Sequence, residues 1–100
     1  MKWILTYTPR QGGSANDQMK GLKNGLEIFE KWQPDPAMNI LQFTQRMDGS
    51  MGVIIFEGDP TTALTDLVTF SPFFDMNLSP AIDPQDLVPH EMAAMERWGI

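Results

Sequence analysis

No cysteine occurs anywhere in the 100 residues. That absence excludes a disulfide framework, a thiolate metal site and a cysteine nucleophile, and it suits a reducing compartment, so a cytoplasmic location is expected. Basic residues are scarce as well: seven lysines and arginines stand against thirteen acids, for a net charge of −6. Lys2, Arg10, Lys20, Lys23, Lys31, Arg46 and Arg97 form no run. The field of such a chain repels a phosphate backbone, and nucleic acid is not an expected partner. Long apolar runs are missing too. Nothing approaches the roughly 20 residues that a bilayer-spanning helix needs, and the opening Met1-Lys2-Trp3-Ile4-Leu5-Thr6-Tyr7 is too short and too alternating for a signal peptide. No membrane association is expected. His90 is the single histidine. With no thiol and one imidazole, a transition-metal site would rest on scattered carboxylates, and neither a metal nor a cofactor is expected.

What is present has ordinary globular proportions, 42% hydrophobic and 20% charged residues. A chain of this length makes one domain, here residues 1–100, and buries roughly two-thirds of its unfolded surface. Lys2 to Thr8 is β-branched and aromatic and reads as a strand ended by Pro9. After the Gln11-Gly12-Gly13 loop, Ser14 is an N-cap with Asp17 placed to complete a capping box. Met19, Leu22, Leu26 and Phe29 then fall on one helical face, and Pro34 stops the helix near Trp32. Gly21 and Gly25 inside that helix cost about 1 kcal/mol each relative to alanine, which predicts close approach to a neighbouring element.

Asn39–Arg46 and Gly52–Glu57 are two strands joined through Met47-Asp48-Gly49-Ser50, and Asp-Gly predicts a type I′ hairpin turn. That turn sets Thr44 opposite Val53, Phe43 opposite Ile54 and Leu41 opposite Phe56. One face then carries Leu41, Phe43, Ile54 and Phe56. The other carries Ile40, Gln42, Thr44, Arg46, Val53, Ile55 and Glu57. Asp59-Pro60 starts a second helix, with Leu64, Leu67 and Val68 as its apolar stripe. Asp75–Asp83 alternates as a fourth strand, in which Pro80 marks a bulge or an unpaired edge. Asp83-Pro84 repeats the helix-start signal. Pro89 is expected to open the terminal helix proper, within an arm over about residues 84–98.

The order βαββαβ with a C-terminal helical arm predicts an α+β, ferredoxin-like domain, with two helices on one face of a four-stranded antiparallel sheet. The other sheet face mixes polar residues with Ile4, Ile40, Val53 and Ile55. It suits an interface or a lined cavity better than bare solvent, so a homodimer is expected.

Met1-Lys2-Trp3-Ile4, Val53-Ile54-Ile55-Phe56-Glu57, Asp59-Pro60 and Asp75-Met76-Asn77-Leu78-Ser79-Pro80-Ala81-Ile82-Asp83 resemble the bacterial family called domain of unknown function 3303. The resemblance implies a dimeric α/β barrel in which two ferredoxin-like sheets pack face to face. The Gln33–Met38 loop and the long C-terminal arm depart from it. The family has no agreed catalytic residues, so no role transfers.

If two sheets enclose a cavity, alternation places Thr6, Gln42, Thr44, Arg46, Glu57 and Asn77 on its wall, and a small organic molecule is the expected ligand. A guanidinium at Arg46 suits a carboxylate or enolate, and Glu57 suits a base. The simpler reading of both is a charge reaching solvent from a strand end. Tyr7 joins the candidates because its hydroxyl needs a partner if buried. Trp3, Trp32 and Trp98 could stack on a planar ligand, though aromatics at such positions are more often core or interface residues. Gly12-Gly13-Ser14 lacks the spacing of a phosphate loop, and His90 suits a solvated helical site. Two alternatives accompany the binding module: a cofactor-independent isomerase or monooxygenase acting on an aromatic or polyketide-like substrate, and a protein-interaction module using the acidic surface and the methionine-rich arm.

Overall fold

The computed structural model describes all of residues 1–100. Strand β1 (Lys2–Pro9) leads into helix α1 (Ala15–Glu30), followed by β2 (Asn39–Gln45) and β3 (Gly52–Glu57). A 3-10 turn (Pro60–Ala63) runs into helix α2 (Leu64–Phe70), then β4 (Phe74–Ala81) and helix α3 (Pro84–Trp98). The four strands form one antiparallel sheet in the order β2-β3-β1-β4. With the βαββαβ connectivity, that order makes the domain ferredoxin-like.

Local chemistry accounts for the element starts. Ser14 accepts the Asp17 N–H while Asp17 accepts the Ser14 N–H, a complete capping box. Asp59 caps the 3-10 turn through the Thr61 N–H, with Pro60 in its first turn. At α3 the helix opens at Pro84, and Pro89, expected to open the helix proper, lies inside it. The helix-start signal at Asp83-Pro84 is sufficient, and Pro89, past the first turn, removes the N–H that would bond the Gln85 carbonyl.

The hairpin register follows expectation at the turn and departs from it farther along. Thr44 pairs with Val53 and Phe43 with Ile54. The turn is wider than a two-residue I′ loop: the Gly49 N–H bonds the Arg46 carbonyl, Arg46 N–H bonds the Met51 carbonyl, and only Gly49 has positive φ, 72°. Asp48 escapes a left-handed conformation by accepting both the N–H and the hydroxyl of Ser50. Beyond Gln42 the register shifts, and Ile40 rather than Leu41 stands opposite Phe56. Leu41 is a bulge residue, 47% exposed, while Ile40 joins the helix-side core. Ile40 therefore takes the helix-side place expected of Leu41, and Leu41 is left unpaired, because one extra residue in a strand flips the side chains beyond it.

The core is small. Leu5, Ile54, Phe56, Met38 and Ala63 are buried together, with Trp3, Tyr7, Trp32, Ile40, Leu67, Met76 and Leu78 packed around them. Ala63 at the end of the 3-10 turn and Leu67 and Phe70 of α2 turn inward, whereas Leu64 and Val68 face solvent. Of the stripe expected from the sequence, Leu67 alone packs inward. Helix α1 buries only Gly25, where an added Cβ would lie 3.0 Å from the Phe74 ring and 3.2 Å from the Phe73 Cβ. The close approach expected of the glycine pair is thus real at Gly25, and Gly21 has no neighbour at that range. Helix α3 buries nothing. It extends the chain to 53 Å along its longest axis and raises the radius of gyration to 17.1 Å, against about 13 Å for a compact chain of this length.

Candidate functional site

The uncovered face of the sheet is ordered in three cross-strand rows. Thr44, Val53, Thr6 and Asn77 form one; Gln42, Ile55, Ile4 and Ser79 the next; Asn39, Glu57, Lys2 and Ala81 the third. Five of the residues singled out in the sequence, Thr6, Gln42, Thr44, Glu57 and Asn77, therefore share this face. Arg46 lies past the last row, at the hairpin turn, where it pairs with Asp48 at 3.4 Å and both side chains are exposed. Six strand steps separate its partner Met51 from Glu57, roughly 20 Å. Arg46 and Glu57 of one chain do not act on one small molecule together. Lys2 bonds Asp83 at 2.8 Å, and the hydrogen bond and charge of that carboxylate raise the lysine above its ordinary 10.5. This pair ties the first residue of the sheet to the root of α3.

Tyr7 is on the opposite face, among the helices. Its ring lies over Gly52, its register partner, and a Cβ there would collide with the ring. The ring meets Phe43 edge-on at 6.3 Å and Phe74 at 5.5 Å. Phe29 continues the chain of contacts, 5.8 Å from Phe43 and 6.3 Å from Phe70, and Phe70 closes it at 6.4 Å from Phe74. Tyr7, Phe43, Phe29, Phe70 and Phe74 thus form a closed cycle of aromatic rings, with Trp32 stacked on Phe29 at 5.6 Å.

These six rings line a cavity of about 220 Å³ between α1 and the sheet. It exists because α1 pivots on Gly25 and stands off elsewhere, so that Leu26 and Phe29 remain half exposed. Only one charged side chain lines it, Asp66 of α2. The Trp32 indole N–H donates to Asp66 Oδ1 at 2.8 Å, and Oδ2 has no protein partner and is open to solvent. Burial pushes this carboxyl above its ordinary 3.8; the indole bond opposes the rise and nearby Asp35 adds to it. The Tyr7 hydroxyl donates to Gln45 Oε1 at 3.2 Å, and burial raises the phenol above its ordinary 10.0. His90 lies exposed along α3, and no three His, Asp or Glu side chains converge as a metal site. No helix is long and apolar enough to cross a membrane.

Of this cavity's lining, only Tyr7 and Trp32 stand out in the sequence as candidate ligand contacts. Asp66 was hidden, since one acid beside a helical stripe looks like any solvated helix residue. The available signal was the surplus of aromatics at inward positions, more edges and faces than a small core can fill without gaps.

The raised Asp66 carboxyl carries a stability consequence. Between 3.8 and its higher folded value the native state holds more protons than the unfolded state, so stability falls as pH rises through that window. Asp66→Asn keeps an acceptor for the Trp32 N–H and removes the titration. Urea midpoints from pH 3.5 to 7 should show the variant gaining on the wild type as pH rises. Parallel curves would contradict the burial of this group.

A ferredoxin-like sheet with one covered and one bare face, an aromatic cavity under α1 and a detached terminal helix define the class of protein. Within that class, the chain belongs to the family described as Domain of unknown function (DUF3303), whose model matches residues 1–95. No curated protein matches the chain.

Proposed function

We propose that this protein binds a small organic molecule in the aromatic cavity between α1 and the sheet, and that it does so as a homodimer. The observation that carries the binding reading is the closed cycle of five rings around about 220 Å³ of space. Apolar walls with few polar groups are the usual make-up of ligand sites. A cavity of about 150 Å³ suffices for benzene, so this one suits a single ring with a short substituent. A thermal-shift screen of ring compounds should yield hits whose stabilisation is lost in Phe29→Ala. A screen with no hits would remove this reading.

The dimer is favoured by a different observation. Each chain presents an uncovered sheet face with Ile4, Val53 and Ile55, and a helix with Leu87, Val88, Met92, Met95 and Trp98 exposed. One chain thus carries both a surface needing cover and an element free to supply it, and a second copy satisfies both. Sedimentation at micromolar concentration should give about twice the 11.3 kDa chain mass. A monomer would exclude this assembly. A dimer in which the two bare sheet faces meet, with α3 clasping the outside, would instead enclose Thr6, Gln42, Thr44, Asn77 and Glu57 between sheets, with Arg46 at the rim, as a second place for a ligand. Hits weakened by Gln42→Ala or Arg46→Ala, and indifferent to Phe29→Ala, would assign binding there.

A further inference from the structure

Resting on the cavity reading above, we infer that the ligand is a hydrophobic amine, whose ring lies within the aromatic cycle and whose ammonium group meets Asp66. The wall is apolar and aromatic except at three side chains: Asp66, Gln45 and the Tyr7 hydroxyl. Gln45 and Tyr7 bond one another. Asp66 spends one oxygen on the Trp32 indole and leaves the other without a partner.

Three kinds of ligand can be compared at this carboxylate. A neutral ring compound drives out water and leaves Oδ2 desolvated and unpaired, which weakens binding by the cost of a buried unsatisfied acceptor. An acid of the same shape adds like-charge repulsion in apolar surroundings. An amine donates a charge-assisted hydrogen bond to the free oxygen. Burial already disfavours the ionised carboxylate, and a bound cation reverses that penalty. The net charge of −6 draws cations towards the site from a distance.

Three near-isosteric probes separate these cases: 3-phenylpropylamine, 3-phenylpropan-1-ol and 3-phenylpropionate, each titrated calorimetrically into the purified protein at pH 7. The amine should bind at least about tenfold more tightly than the alcohol, and the acid most weakly. Asp66→Asn should bring the amine to the level of the alcohol and leave the alcohol within about twofold. Equal binding of amine and alcohol by the wild type, a comparison that needs no variant, overturns the ligand class and leaves the cavity reading standing. Amine preference that survives in Asp66→Asn overturns the role of Asp66. No binding by any of the three overturns both the class and the cavity reading.

Discussion

Phe56→Ala should cost about 3–5 kcal/mol, a large share of the 5–15 kcal/mol typical of a whole domain. Phe56 has no exposed surface and sits at the centre of the small core with Leu5 and Ile54. Its strand is held on both sides, by Trp3 of β1 and Ile40 of β2, so the cavity left by the ring cannot collapse easily. Phe43 lies one strand away on the same face, and strand alternation alone predicts the same cost for it. It is 39% exposed at the mouth of the aromatic cavity, and Phe43→Ala should cost about 1–2 kcal/mol. Thr44→Ala, on the bare face, should stay within about 0.5 kcal/mol. Urea midpoints at constant m-value separate the three. Equal losses for the two phenylalanines would show that the cavity is closed over in solution.

The second large effect is expected at Gly52. Any side chain there enters the space of the Tyr7 ring, and the backbone cannot retreat because Gly52 is paired with Tyr7 on one side and Gln45 on the other. Gly52→Val must therefore expel the ring, at about 3 kcal/mol or more. Tyr7 then loses its edge contacts to Phe43 and Phe74 and its bond to Gln45, so the aromatic cycle opens and ring compounds cease to bind. A double-mutant cycle isolates the cause. Gly52→Ala should be strongly destabilising in the wild type and close to neutral in a Tyr7→Ala background, where the space is vacant. The same penalty in both backgrounds would mean that the glycine serves its own backbone rather than the ring.

Much of the fold was legible in the residues. Element order, the Ser14 capping box, the Asp59-Pro60 start and the register beside the hairpin turn all follow from local patterns, which depend on neighbours a few positions apart. The errors share a cause. Leu41 alternates correctly with Phe43, and nothing local announces that the strand takes an extra residue between Ile40 and Gln42. Of the stripe of Leu64, Leu67 and Val68, Leu67 packs on the core as its spacing predicts, while Leu64 and Val68 face solvent and Phe70 is buried instead. The candidate site was the least legible. Alternation correctly gathered Thr6, Gln42, Thr44, Glu57 and Asn77 on one face, but the cavity within one chain lies on the other, formed where α1 stands off from the sheet. Gaps between elements are a property of tertiary packing, and periodicity within an element does not encode them.

The two outer strands carry a further consequence. β2 and β4 are free edges, rows of unpaired backbone groups that invite pairing with any passing strand. Each is interrupted where it would be most receptive. The register shift at Leu41 breaks the hydrogen-bonding rhythm of β2. Pro80 lacks an N–H on the outer side of β4, since pairing with β1 runs unbroken through it from Ser79 to Ala81. Neither edge offers a continuous template, so sheet-extending growth into fibres is frustrated at both ends of the domain. Replacing Pro80 with valine, a change of no consequence to the internal ladder, would restore one template and leave the domain open to edge-on polymerisation.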